Sequence, residues 1–213
     1  MNVQTLTVGA FQENSYLVVD DRTRRAVIVD PGSEGDRLVE AIDKSAAILE
    51  AIWITHAHVD HVGAIASVKR RWDVPIYLHP LDRRLYDAAS LQAQVYGVPF
   101  EEPPPPDREF ADGQQLRLGD AELSVMHAPG HSPGHVVIHG RGIAFVGDCL
   151  FAGSIGRTDL PFSNPPQLAA SLQRISALAP ETLVYPGHGI DTTIAQERLS
   201  NPFLNGTARI VGR

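Results

Sequence analysis

Residues 54–63 read ITHAHVDHVG, so three of the chain's nine histidines and an aspartate fall within six positions, directly after the apolar run AAILEAIW. In extended backbone the side chains at positions i and i+2 point the same way, which lets His56 and His58 grip one ion. A turn after them aims Asp60 and His61 at a second point a few ångströms away. Closely spaced imidazoles beside a carboxylate add little to core packing, and burying them unpaired costs on the order of a few kcal/mol. A metal centre is the reading that gives all four a partner. Imidazole and carboxylate donors suit zinc, iron or manganese. Thiolate has no part, because the only cysteine, Cys149, lies elsewhere.

This loop limits the fold. Four donors in one loop cannot close two metal sites, so further donors have to arrive from other strand ends. His131 lies in HAPGHSPGH after AELSVMHA, Asp148 ends GIAFVGD, and His188 lies in YPGHG just after TLVYP. Each time an apolar strand candidate runs into a Gly- or Pro-rich loop carrying one ligand-type side chain, which is how a rigid scaffold presents a site.

The pattern between these loops predicts the scaffold. VQTLTV, SYLVVD and AVIVD read as strands, GDRLVEAIDKS as a helix with Leu38, Val39 and Ile42 at helical spacing, and ILEAIWIT as the strand that ends in the histidine loop. AIASVKRRW predicts a helix, VPIYLH a strand and LDRRLYDAASLQAQVYG a helix. Residues 100–113, FEEPPPPDREFADG, are irregular, since four prolines in a row cannot donate to a ladder and favour a stiff spacer. They read as a surface crossing between two halves of one domain. Beyond them come the strands QQLRLGD, AELSVMHA, HVVIHG and GIAFVGD, a helix over PPQLAASLQRISALA, the strand TLVYP and a short helix IAQERL. Strands plus helix, twice over, predict an α+β chain with two packed sheets and helices outside.

Composition excludes several functions. With 43% hydrophobic residues the chain can bury a large core, and a net charge of −7 gives no basic face for nucleic acid. A lone cysteine allows no internal disulfide and matches a reducing cytosol. The N-terminus shows no leader pattern, and no apolar stretch reaches the roughly 18 residues of a membrane helix. A soluble, cytoplasmic protein acting on a small molecule is the expectation.

THAHVDHVG, followed in order by the GH, GD and PGHG elements, resembles the metallo-β-lactamase superfamily, and the likeness runs from ENSYLV and AVIVDPG to PGHG. Within that superfamily the chain is similar to glyoxalase II, the hydroxyacylglutathione hydrolases, and above all to the short bacterial form, through GDCLFAGSIGRTDLP and NPFL. The resemblance implies a four-layer αββα sandwich with a dinuclear metal site at one edge of the two sheets. It implies that His56, His58 and His131 hold one metal, Asp60, His61 and His188 the other, and that Asp148 bridges both. Penicillin-destroying members lack that bridging aspartate. Two divalent ions, zinc first with iron or manganese as alternatives, would hold a hydroxide that attacks a thioester such as an S-2-hydroxyacylglutathione, with Asp60 orienting it or taking its proton. The stretch after PGHG is too short for the helical C-terminal domain with which long-form glyoxalase II helps bind glutathione. Residues 1–213 are therefore expected to form a single metallo-β-lactamase-like domain. The competing readings are a persulfide dioxygenase-like enzyme with one iron, and a hydrolase of another ester or lactone.

Other residues carry two readings each. Arg157 is either a clamp for a substrate carboxylate or a loop-fixing partner of Asp159. Asp30 either orients a ligand imidazole or caps the turn before Pro31. Thr55 reads as a backbone-bonding loop residue, Cys149 as a small core thiol, and His127 and His135 as structural or surface histidines rather than supports of the site. Tyr86 and Tyr96 are candidates for a pocket mouth.

Overall fold

In the computed structural model, which describes residues 1–210, the chain starts with β1 (Asn2–Val8), β2 (Glu13–Val19) and β3 (Arg25–Val29). β2 is buried along its whole length, and its side chains divide by parity, as the two-residue repeat of a strand requires. Leu17 and Val19 pack to one side, with Ala26 and Ile28 of β3; Tyr16 and Val18 pack to the other, with Val27 and Val29. A sheet built from such strands has both faces covered. α1 (Gly35–Ser45) covers the first face with Leu38 and Ile42, one turn apart on its inner stripe.

The first sheet continues through β4 (Ile48–Trp53), α2 (Val59–Val62), α3 (Ile65–Arg71), β5 (Ile76–Leu78), α4 (Arg83–Asp87), α5 (Ala89–Tyr96) and β6 (Arg108–Glu109). Its strand order is β1-β2-β3-β4-β5-β6, antiparallel up to β3 and parallel beyond it. The helix expected over LDRRLYDAASLQAQVYG is broken into a 3₁₀ turn at Pro80–Asp82, α4 and α5. Asp82 turns inward there to bond distant loops, and the Leu85 carbonyl at the second break accepts from the Gln92 side chain at 3.2 Å. The proline segment is irregular as expected, but its end forms the two-residue edge strand β6.

The second sheet is made of β7 (Gln115–Leu118), β8 (Ala121–His127), β9 (Val136–Gly140) and β10 (Ile143–Gly147), then, after the hairpin β11 (Leu150–Phe151) and β12 (Ser154–Ile155) and after α6 (Pro165–Ser176), of β13 (Leu183–Pro186) and β14 (Thr192–Thr193). α7 (Ile194–Ser200) follows. The order is β14-β13-β10-β9-β8-β7, with only β13 and β10 parallel. α6 starts at Asn164, whose side chain accepts from the Gln167 N–H at 3.1 Å, with Pro165 and Pro166 in the first turn where no donor is needed.

The two sheets face each other through Tyr16, Val29, Trp53, Leu123, Ile138 and Phe145. α6 closes the outer face of the second sheet with Leu168, Leu172 and Ile175 against Val137, Ala144 and Val146. The layers run helix, sheet, sheet, helix. Two bulges interrupt the parallel ladders. The register of β4 on β3 jumps from Ala26↔Leu49 to Val27↔Ala51, and that of β10 on β13 from Phe145↔Tyr185 to Gly147↔Pro186. The second lies at the strand end that carries Asp148, where the extra residue re-aims the chain. No helix among the described residues is long and apolar enough to cross a membrane.

Candidate metal centre

The strand ends converge. His56 and His58 follow β4, Asp60 and His61 lie in α2, His131 lies between β8 and β9, Asp148 follows β10, and His188 follows β13. One ligand atom from each of His56, His58 and His131 lies within 4.8 Å of the others, and the same holds for Asp60, His61 and His188. The Asp148 carboxylate sits between the two groups. Its Oδ1 is 3.4 Å from His61 Nε2, and its Oδ2 is 3.5 Å from His131 Nε2 and 3.6 Å from His188 Nε2. Across the first group His58 Nδ1 and His131 Nε2 approach to 2.9 Å. All seven residues singled out in the sequence are thus in one place.

What lies behind each imidazole decides which nitrogen faces inward. A carbonyl oxygen only accepts, so His131 Nδ1 donates to the Arg157 carbonyl (2.9 Å) and His188 Nδ1 to the Phe11 carbonyl (3.0 Å). His61 Nδ1 donates to Asp30 Oδ2 at 3.0 Å. In the neutral form of each ring the inward Nε2 then keeps its lone pair, the arrangement that makes a good ligand. Asp30 also takes the Thr55 N–H (2.7 Å) and hydroxyl (2.6 Å), so it stands behind the histidine loop.

Among the described residues four buried side-chain nitrogen or oxygen atoms have no hydrogen-bond partner: His56 Nε2, His61 Nε2, Asp148 Oδ1 and Glu13 Oε1. The first two belong to the two donor groups, and the third to the carboxylate between them. Leaving buried polar atoms unmatched costs about 1–3 kcal/mol each, so their gathering needs a cause. Lone-pair donors turned toward common points are what a divalent cation requires, and the residues fit one in each group.

The two groups differ in charge. Burial, reinforced by neighbouring histidines, pushes the His56 imidazole far down and His58 to about 3, so both are neutral. In the other group burial pulls His61 down, but Asp148 and Asp60 outweigh it and lift its pKa well above the ordinary value. Burial likewise opposes, and the Asp60 hydrogen bond and Asp148 charge overcome, at His188. The carboxylates respond in kind: against the effect of burial, the histidines hold Asp60 and Asp148 below the usual range, so both are ionised.

Tight backbone approaches fix these positions. Gly147 has φ +46°, and a Cβ there would come within 2.4 Å of Thr55 Oγ1. A Cβ on Gly187 would meet Asp148 Oδ1 at 2.1 Å. The loop carrying His188 is held by β2: Glu13 pairs with His188 in an antiparallel bridge, Asn14 N–H donates to Gly187 O (2.7 Å), and the Asn14 amide reaches the Pro186 and Gly189 carbonyls (3.2 and 2.8 Å).

Three supports were not anticipated from the sequence. Asp82 accepts from the Ala57 N–H (3.0 Å) and the Ser132 hydroxyl (2.7 Å), tying the His56 loop to the His131 loop. Glu13 is buried beside His61, with burial raising its carboxyl well above the usual range. His135 stacks on His56 (4.8 Å, 20°) and accepts the Asp148 backbone N–H at 3.1 Å, so it supports the site directly. Its one advance signal was its place in HAPGHSPGH. His127 instead stacks on His79 (4.2 Å, 5°), and Cys149 is buried with Sγ 3.4 Å from Ala128 O. The Arg157 guanidinium is paired with Asp159 through contacts of 2.9 and 3.0 Å. A cavity of 520 Å³ opens over His58, Asp60, His131, Asp148 and His188; Arg157 and Tyr96 line it, whereas the Tyr86 hydroxyl donates to Pro104 O (2.8 Å).

The sequence model of the metallo-β-lactamase superfamily matches residues 8–188. The chain belongs to this superfamily. The sandwich described above is accordingly the metallo-β-lactamase fold, as the resemblance implied. Among superfamily members, the hydroxyacylglutathione hydrolase GloC of Haemophilus influenzae is 40% identical over 210 residues, covering 96% of this chain and 99% of that protein. The crystal structure of TTHA1623 in a di-iron-bound form superposes with a TM-score of 0.89 at 46% identity, over 95% of this chain and 100% of that one. The B3 metallo-β-lactamase BLEG-1 superposes at 0.90 with 37% identity, over 96% and 100%.

Proposed function

We propose that this metallo-β-lactamase superfamily member is a metal-dependent thioester hydrolase of the glyoxalase II type, with S-2-hydroxyacylglutathiones as the reference substrates. In this reading His56, His58 and His131 hold one divalent cation, Asp60, His61 and His188 hold a second, and Asp148 is shared. The observation that carries it is the Asp148 carboxylate, 3.4–3.6 Å from imidazole nitrogens of both groups. The 40% identity to a hydroxyacylglutathione hydrolase and the di-iron state of a 46% identical neighbour support it. Zinc, iron and manganese all suit these donors.

Two cations bound there would lower the pKa of a water molecule and polarise a carbonyl. The chain's own residues do the rest. The ionised Asp60, partly open to the cavity, takes the proton of the attacking water or orients it. The Asp30, Arg157 and Phe11 oxygens keep three imidazoles from turning. The water oxygen bonds to the carbonyl carbon, the C–S bond breaks, and its electron pair leaves with the thiolate. A thiolate leaves without prior protonation, so no general acid is needed.

A one-iron oxygenase would leave Asp60, His61 and His188 without a task, which weighs against that alternative. The likeness to a B3 metallo-β-lactamase makes a β-lactam the other electrophile to test. Metal analysis of the purified protein, paired with turnover of S-D-lactoylglutathione, simpler thioesters, a lactone and a penicillin, decides. Two metals per chain and thioester turnover are expected. One iron per chain with oxygen uptake on glutathione persulfide would overturn the proposal.

A further inference from the structure

Above its metal-site floor the cavity is apolar. Leu91, Val95 and Tyr96 come from α5, Phe162 from the loop before α6, and Phe11 from the β1–β2 turn, its ring edge-on to Tyr96 at 5.3 Å. These five are among the nine large hydrophobic residues left exposed in the described chain. Single exposed hydrophobics need no explanation, but several around the mouth of one site form a binding surface.

The polar side chains of the walls are already engaged. Gln92 Oε1 accepts from the Val59 N–H at 3.2 Å, and its amide donates to Leu85 O at 3.2 Å. Arg157 is committed to Asp159 in a two-contact pair. Among the described residues, Arg157 is the one arginine or lysine lining the cavity, so little positive charge is offered to the carboxylates of glutathione. Phe11 also ties the wall to the chemistry, because its carbonyl holds His188.

A thioester has two ends. The thiol carriers of metabolism are polar and charged, so the part of the substrate that can lie against Leu91, Val95, Phe162 and Tyr96 is the acyl group. A lactoyl methyl would leave most of a 520 Å³ cavity, a volume suited to a drug-sized ligand, filled with water. Resting on the thioester-hydrolase reading, the geometry points to a preferred substrate whose acyl group is an apolar chain or ring of about six carbons or more. The acyl group lies along α5 and Phe162, and the carrier is left at the open mouth.

The test is an acyl series on one carrier: D-lactoyl, hexanoyl, octanoyl and D-mandeloyl thioesters of glutathione with the metal-loaded protein. Each methylene buried adds on the order of threefold, so octanoyl exceeds lactoyl at least tenfold in kcat/KM. Leu91→Ser and Val95→Asp, at positions 60% and 75% exposed and so tolerant of change, lower the octanoyl-to-lactoyl ratio at least fivefold. Leu199→Ser, on exposed α7 outside the cavity, leaves the ratio alone. Without any turnover, S-octylglutathione, a thioether that cannot be hydrolysed, binds at least tenfold more tightly than S-methylglutathione by calorimetry. A flat series, or one that favours lactoyl, overturns the acyl assignment and leaves thioester hydrolysis standing. If no member of the series is hydrolysed, the thioester reading falls and takes the assignment with it.

Discussion

The carboxylate of Asp30 and the imidazole of His61 meet at 3.0 Å, and the same carboxylate accepts the N–H and hydroxyl of Thr55. One buried side chain therefore orients a donor of the second metal group and the backbone that launches the histidine loop. Asp30 itself sits at φ +48°, a conformation Asp tolerates better than most residues and that its three bonds hold in place.

Asp30→Ala is expected to weaken metal binding at the Asp60, His61 and His188 group by roughly 10–100-fold. Leaving Thr55 unmatched costs about 2–4 kcal/mol of stability besides. A competitive chelator titration and a denaturant melt read the two effects separately.

Asp148→Ala removes the one carboxylate shared by both groups. Bound metal and turnover should be lost together, with kcat/KM down by roughly a thousandfold or more. Elemental analysis and the thioester assay check this; a variant with one metal or none and full activity would reject the dinuclear scheme.

Protons should distinguish the two groups in metal-free protein. His61 and His188 have raised pKa values, so near neutral pH a cation entering their group displaces protons, and its affinity falls as pH drops through those raised values. His56 and His58 are depressed and already neutral, so these two release little on filling. Calorimetry in buffers of different ionisation enthalpy measures the difference, and equal release at both steps would contradict it. The linkage to stability has a definite sign. The His61 contribution is complete below its unfolded value near 6.5 and is lost as pH rises through the folded value. The Asp148 contribution is present above 3.8 and is lost as pH falls through its lowered folded value. The attraction between them is therefore at full strength between these two unfolded values.

Gly187→Ala forces a methyl to within 2.1 Å of Asp148 Oδ1 and 2.8 Å of His61 Cε1. Something must move, and both neighbours are donors. The expected result is loss of one metal per chain with stability down by about 1–3 kcal/mol, read by elemental analysis beside a thermal melt.

Arg157→Ala should do little. Its pair with Asp159 is solvent-exposed and contributes less than about 1 kcal/mol, and His131 is held by the Arg157 backbone, which the substitution keeps. kcat/KM stays within roughly threefold. A hundredfold rise in KM would instead make the guanidinium a substrate clamp.

Much of this arrangement was readable beforehand for a local reason. His56 and His58 share a face through strand parity, and His131, Asp148 and His188 each stand where an apolar run meets glycine or proline. Two packed sheets with helices outside were legible in the order of strand and helix candidates, and the αββα layering was implied by the resemblance; the structure bears it out, with β2 and β3 dividing their apolar residues between two cores by parity. What was hidden depends on distant neighbours. Asp82, in LDRR, looks like an exposed helical residue, and only the approach of Ala57 and Ser132 makes it a brace. His135 gains its role from the Asp148 backbone, and Glu13 from the burial of β2. Strands of two residues, β6, β11, β12 and β14, are too short for any periodicity to announce them.

The grip of Asn14 on the Gly189 carbonyl spans 175 positions. During translation the first four donors emerge early, yet the loop that completes their set has its anchor waiting near the beginning of the chain. On the proposed two-ion reading, the donors that would hold the second ion are complete only once residue 188 has been made, so the early part of the chain cannot capture that ion alone.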